Sequence, residues 1–178
     1  MRSNALVLLG VVGLFACDKD SEQNEHRTTD VAAVRRAIDS TNANMQRWYA
    51  AGQADSVATT FARDARQMPP NSPALVGRDS IRAFWAASLP LGQWKFELAT
   101  DEVVASDTIA VERGHYVLHF AAGPKAPMPS FEDRGNYVVL WHKESDGKWR
   151  AVWDAPVSEL PPPGAPSNSS KAPTAAKK

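Results

Sequence analysis

The chain has 178 residues, 43% of them apolar, and its 20 basic residues balance its 20 acidic ones to zero formal charge. That is enough for one hydrophobic core, but it leaves no basic face for nucleic acid and no polybasic patch for a membrane surface. A single cysteine, Cys17, excludes an intrachain disulfide, so stability must rest on packing.

Met1-Arg2 is a short positive start, and Ala5 to Ala16 is an apolar run. The run is shorter than the about 20 residues that a bilayer span takes. It reads as an export leader, and Leu14-Phe15-Ala16-Cys17 resembles the lipobox of a bacterial lipoprotein precursor. Residues 1–16 are therefore the expected signal peptide and Cys17 the expected lipidated residue. A membrane-anchored position in the cell envelope, facing the periplasm, follows. The polar stretch 17–28 reads as a flexible tether.

Val31, Val34, Ile38, Met45 and Trp48 then recur at helical spacing, with Thr29 as the expected N-cap and Gly52 as the stop. A short second helix runs from about Asp55 through Phe61, a brief strand covers Ala65 to Met68, and Met68-Pro69-Pro70-Asn71-Ser72-Pro73 turns the chain. Ile81, Phe84, Trp85 and Leu89 mark a third helix opening at Arg78-Asp79. Beyond Leu89 the pattern changes to alternation. Trp94, Phe96 and Leu98 alternate with Lys95 and Glu97, and three further strand-like runs cover Ile109 to Phe120, Arg134 to Lys143 and Trp149 to Asp154. Asp146-Gly147 suits a tight hairpin turn. Residues 159–178 are rich in Pro, Ala, Ser and Lys, a composition that builds no core and predicts a disordered tail.

Helices followed by an antiparallel meander predict an α+β domain over residues 29–158. Five short motifs carry a resemblance: Ala51-Gly52-Gln53-Ala54-Asp55, Phe61-Ala62-Arg63-Asp64-Ala65, the Pro69-Pro70-Asn71 turn, Val76-Gly77-Arg78-Asp79-Ser80-Ile81 and Asp146-Gly147-Lys148-Trp149-Arg150. In this order the chain resembles the nuclear transport factor 2-like superfamily, and within it the SnoaL-like branch (domain of unknown function 4440). The resemblance implies a cone-shaped, curved antiparallel sheet wrapped around the long N-terminal helix, with an interior that is often a pocket. Relatives serve as isomerases, cyclases, dehydratases, or binding and dimerisation modules, so a homodimer through the open sheet face is implied as well. The fold alone does not choose among these.

Glu112-Arg113-Gly114-His115-Tyr116 and Asp133-Arg134-Gly135-Asn136-Tyr137 repeat one pattern on successive strands. It reads either as cross-strand pairing with Gly allowing close approach, or as an arginine, Arg113, that faces the pocket to hold an anion. His115 is a candidate base, but His115 and His119 would lie about 13 Å apart along a strand, too far for one metal ion. Neither a metal nor a cofactor is expected. At the positions where ketosteroid isomerases place their base and oxyanion tyrosine, an ungapped alignment puts Met68-Pro69 and Met45, neither able to move a proton. Asp154 matches an acid common in the branch and is the other candidate base, with Tyr137 or Arg113 stabilising the anion. Met45, Trp48, Met68, Trp85, Tyr137 and Trp153 are the candidate lining of an apolar pocket.

These residues predict a domain that binds a small, mostly apolar molecule in its cone. The alternatives are a cofactor-free isomerase, cyclase or hydrolase of the SnoaL-like type, or an interaction module whose cavity is filled.

Overall fold

The computed structural model describes residues 29–161. The predicted leader, Cys17, the tether and residues 162–178 of the tail lie outside the described residues. Three helices, α1 (Val31–Ala50), α2 (Ala54–Ala58) and α3 (Arg78–Ser88), precede most of the sheet. Its strands are β1 (Phe61–Gln67), β2 (Leu75–Val76), β3 (Gly92–Ser106), β4 (Ile109–Ala122), β5 (Phe131–Lys143) and β6 (Trp149–Ser158).

The start of α1 is capped by Asp30, whose carboxylate accepts from the Ala33 N–H at 2.9 Å. The cap is therefore one residue later than the expected Thr29. The Thr29 hydroxyl instead accepts from the Asp107 N–H at 2.8 Å and ties the helix start to the β3–β4 turn. At the other end Gly52 takes φ +71°, its N–H reaches the Tyr49 carbonyl and the Gln53 N–H reaches that of Trp48. This double closure stops the helix where an L side chain would be strained. Between the caps Val34, Ile38, Asn42 and Tyr49 are buried against the sheet, while Val31 is exposed. Burying Ile38 alone contributes about 2–3 kcal/mol.

The strand order is β2-β1-β6-β5-β4-β3. The β3–β6 portion is the predicted antiparallel meander, and β1 joins its edge parallel to β6. Two features differ from expectation. β1 begins at Phe61, where the second helix was expected to end, and β2 was not foreseen. Phe61 is fixed as strand by pairing with Ala151, some ninety positions along the chain, a partner that local pattern cannot reveal. The sheet is curved and does not close, and its register shifts at Thr100/Glu102, Leu140/Trp141 and Phe61/Arg66 supply bends. α1 packs across the concave face, chiefly on β3, where Arg35 donates to the Thr100 carbonyl at 2.5 Å and Gln46 accepts from the Leu98 N–H at 3.3 Å. The first residues of the predicted tail still belong to this framework, since the Glu159 N–H donates to the Arg134 carbonyl at 2.8 Å. No helix of the described residues is long and apolar enough to cross a membrane.

Candidate functional site

One row of residues crosses the concave face of the sheet. Val103, Glu112, Val139, Asp154 and Gln67 stand opposite one another in register on β3, β4, β5, β6 and β1. Two carboxylates thus project from the same row, two strands or about 10 Å apart.

Glu112 is fully buried. Its Oε1 accepts from Asn42 Nδ2 at 2.7 Å, Thr100 Oγ1 at 2.8 Å and the Tyr137 hydroxyl at 2.7 Å, and its Oε2 accepts from Trp141 Nε1 at 2.9 Å. Four neutral donors from three elements, α1, β3 and β5, converge on this buried carboxylate. Burial, followed by the charge of Glu112 and its hydrogen bond, pushes the Tyr137 hydroxyl well above its ordinary range.

Asp154 has a different setting. It lines a cavity of about 830 Å³ between α1, α3 and the sheet, and its Oδ2 accepts from Gln67 Nε2 at 2.9 Å. Gln67 in turn accepts from Trp85 Nε1 at 2.9 Å, so α3 orients the amide that orients the carboxylate. Burial pushes Asp154 up to about 6, helped by the charge of Glu112 and opposed by the Gln67 hydrogen bond. The Tyr49 hydroxyl faces the same spot. Burial and the Asp154 charge push it far up, with Gln67 offsetting part of the rise, so it is a donor and not an acid at any ordinary pH. A carboxylate able to exchange a proton near neutrality stands beside a phenol that keeps its own.

Aromatic rings build the wall around this pair. Tyr49 and Trp85 meet edge to face at 4.6 Å, Trp85 and Trp94 at 5.4 Å, and Trp94 lies 6.2 Å from Phe131 towards the β4–β5 loop. Pro69, Pro70, Met128 and Leu160 complete the lining beyond them.

The SnoaL-like domain model matches residues 42–152, more than half of the chain. The chain belongs to the SnoaL-like family. Solved structures share the nuclear transport factor 2-like fold of this SnoaL-like domain. A Mycobacterium tuberculosis protein of unknown function is 16% identical at a TM-score of 0.65, covering 79% of this chain and 87% of that one. A ketosteroid isomerase-like protein from Erwinia carotovora atroseptica is 19% identical at 0.61, covering 71% and 96%. A nuclear transport factor 2-like superfamily protein from Salmonella enterica serovar Typhimurium is 12% identical at 0.64, covering 74% and 94%. No curated protein matches.

Within the SnoaL-like domain the candidates separate. Met45, Trp85, Tyr137 and Asp154 line the cavity. Arg113 and His115 do not: strand alternation turns both to the convex face, where Arg113 pairs with Glu102 at 2.7 Å and His115 meets Asp101 at 3.1 Å. Arg113 therefore holds no anion in the pocket and His115 is no base there. Tyr137 offers its ring to the cavity, but its hydroxyl is committed to Glu112 and cannot stabilise an oxyanion. Trp153 is 53% exposed on the convex face. Trp48 lines a separate groove of about 430 Å³ beside the β5–β6 turn, and Met68 gives its N–H to the Asp154 carbonyl but stays out of the lining. Cys17 lies outside the described residues.

The repeated motif is structural. Tyr137 lies opposite Gly114 and Tyr116 opposite Gly135, and each tyrosine donates to the acid of the other strand, Tyr137 to Glu112 and Tyr116 to Asp133 at 2.9 Å. A Cβ on Gly114 would come within 2.5 Å of the Tyr137 ring and hydroxyl, and one on Gly135 would meet the Val157 carbonyl. Glycine is thus required where a tyrosine or a neighbouring strand crosses over it. Tyr49 and Gln67, which converge on Asp154, were not among the sequence candidates, and Glu112 was read only as the acid of the repeated motif. Tyr49 was within reach, since it follows the candidate Met45 by one helical turn.

Proposed function

We propose that this SnoaL-like domain binds a small, largely apolar molecule in its cone, oriented by Tyr49, Gln67 and Asp154. The cavity carries the reading: about 830 Å³, bounded by aromatic side chains that are held by one another and do not collapse into it. Such a volume suits a small organic molecule, and a few convergent polar groups at one point are what fixes its orientation. Native mass spectrometry of the purified full chain tests this. A reproducible added mass per protomer, lost on organic extraction and restored by the extract, is the expected result. A chain that carries no adduct and takes none up from a panel of apolar compounds refutes it.

A second reading, acid–base catalysis on the bound molecule, is favoured by the position of Asp154 near pH 6 beside a protonated tyrosine. In it Asp154 takes a proton from substrate carbon and returns it elsewhere, while Tyr49 donates to the oxygen that gains charge, so no cofactor is needed. Deuterium wash-in from solvent into the bound molecule, abolished by Asp154→Asn, is the outcome that supports it.

The proposal extends to assembly and location. Val104, Val111, Leu140 and Trp153 lie opposite one another on the convex face, an apolar row that a second copy would cover. Trp153→Lys should then halve the mass seen by sedimentation. Lipid on Cys17 would hold the domain at the periplasmic side of a membrane, and Cys17→Ser should move the protein to the soluble fraction.

A further inference from the structure

Charge is distributed in the cavity in one sense only. Ten of the described lining residues are aromatic and three, Glu132, Asp133 and Asp154, are acidic, whereas none is Lys, Arg or His. Among the described residues no cation pairs with Asp154, whose one side-chain partner is the neutral Gln67. Behind it, Glu112 is a second buried carboxylate satisfied by neutral donors alone. The interior is therefore a negative, low-dielectric space walled by aromatic faces. An anion entering it would meet the carboxylates of Asp133 and Asp154 and no lining cation, while Glu132 turns to the opposite face and meets His119 at 3.2 Å. A neutral apolar molecule would strip water from Asp154 and return nothing. A cation replaces that lost solvation and is also drawn to the electron-rich faces of Tyr49, Trp85 and Trp94.

We infer that the cavity's ligand is a lipophilic organic cation, an amine or quaternary ammonium whose charged head sits against Asp154 and among these rings while its apolar body fills the remaining length. The inference rests on the reading of the cone as a small-molecule site and adds the chemical class of the occupant. Asp133 on β5, at the β4–β5 loop end of the lining, extends the negative field outward and favours entry of positive charge. The cation partners the ionised form of Asp154, so binding strengthens as pH rises through about 6. The titratable groups facing Asp154 are Tyr49 from α1 and Glu112 from β4, and the first stays neutral throughout this range.

The test uses three probes of matched size on the full chain: 3-phenylpropyltrimethylammonium, 5-phenylpentanol and 5-phenylpentanoate. Affinity is read by calorimetry and by the fluorescence of the cavity tryptophans. The expected result is a cation bound at least about 10-fold more tightly than the alcohol at pH 7, with the carboxylate weakest. The cation's advantage falls about 10-fold at pH 5, as a group titrating near 6 takes up its proton. Asp154→Asn, checked for native circular dichroism, loses the preference for the cation over the alcohol. Equal binding of alcohol and cation by the natural chain, or a preference that survives in Asp154→Asn, overturns the inference while leaving the small-molecule reading intact. Failure of all three probes to bind overturns both.

Discussion

The two carboxylates on the concave face occupy one row of one sheet and have opposite fates. Glu112, under the middle of α1, is enclosed and accepts from Asn42, Thr100, Tyr137 and Trp141. Asp154, at the open end beyond Tyr49, keeps one side-chain partner and a cavity. Residue type and sheet face are shared, so they do not separate a structural acid from a reactive one. Separation comes from how many donors the surrounding elements deliver, since a carboxylate whose lone pairs are filled has nothing left to offer a ligand.

Substitutions can break this contrast, and the largest effect belongs to the enclosed end. Glu112→Ala leaves four buried donors without an acceptor and should cost on the order of 4 kcal/mol in urea unfolding, with Glu112→Gln recovering part of it. Next comes the crossing of the repeat. Gly114→Ala places a methyl group against the Tyr137 ring and the Ala99 carbonyl and should cost about 2–3 kcal/mol, read as a lower midpoint at unchanged slope.

At the open end the sign reverses. An Asp raised from 3.8 to about 6 in the folded state binds more protons there than unfolded between these values, so its contribution falls as pH rises from about 4 to 6. Asp154→Asn should therefore match the natural chain below pH 4 and exceed its stability above pH 6, by roughly 2 kcal/mol given contact with the cavity. A difference curve flat with pH would show that Asp154 is not held up. The smallest effect is on the convex face. Arg113→Ala removes surface ion pairs with Glu102 and Asp101, and the unfolding midpoint should stay within error of the natural chain.

How much of the site was legible is seen best at β6. Asp154 and Trp153 were both candidates for the interior, yet adjacent residues of a strand face opposite ways. The structure sends Trp153 out and Asp154 in because Val152 is an extra residue: Leu140 pairs with Trp153 while Trp141 pairs with Ala151. Without that bulge the alternation set by the buried Trp149 and Ala151 would put Trp153 in the cavity and Asp154 outside. A bulge leaves no local signature here. Arg113 and His115, by contrast, were readable as a pair sharing one face, but which face could be known only once Glu112 and Tyr137 were seen to turn inward.

The amino-acid sequence by itself determined the α1 helix and its stop at Gly52, the α3 helix, the antiparallel meander, the absence of an intrachain disulfide and the family. Each of these depends on short-range periodicity, on turn residues or on counts, apart from the family, which rests on the resemblance of five short motifs in order. Tertiary structure alone decided that β1 runs from Phe61 beside β6, that Glu112 is sealed while Asp154 is open, and that Tyr49, Gln67 and Trp85 converge on Asp154. These depend on register between strands distant along the chain and on one inserted residue, and a shift of a single position would exchange the inner and outer faces.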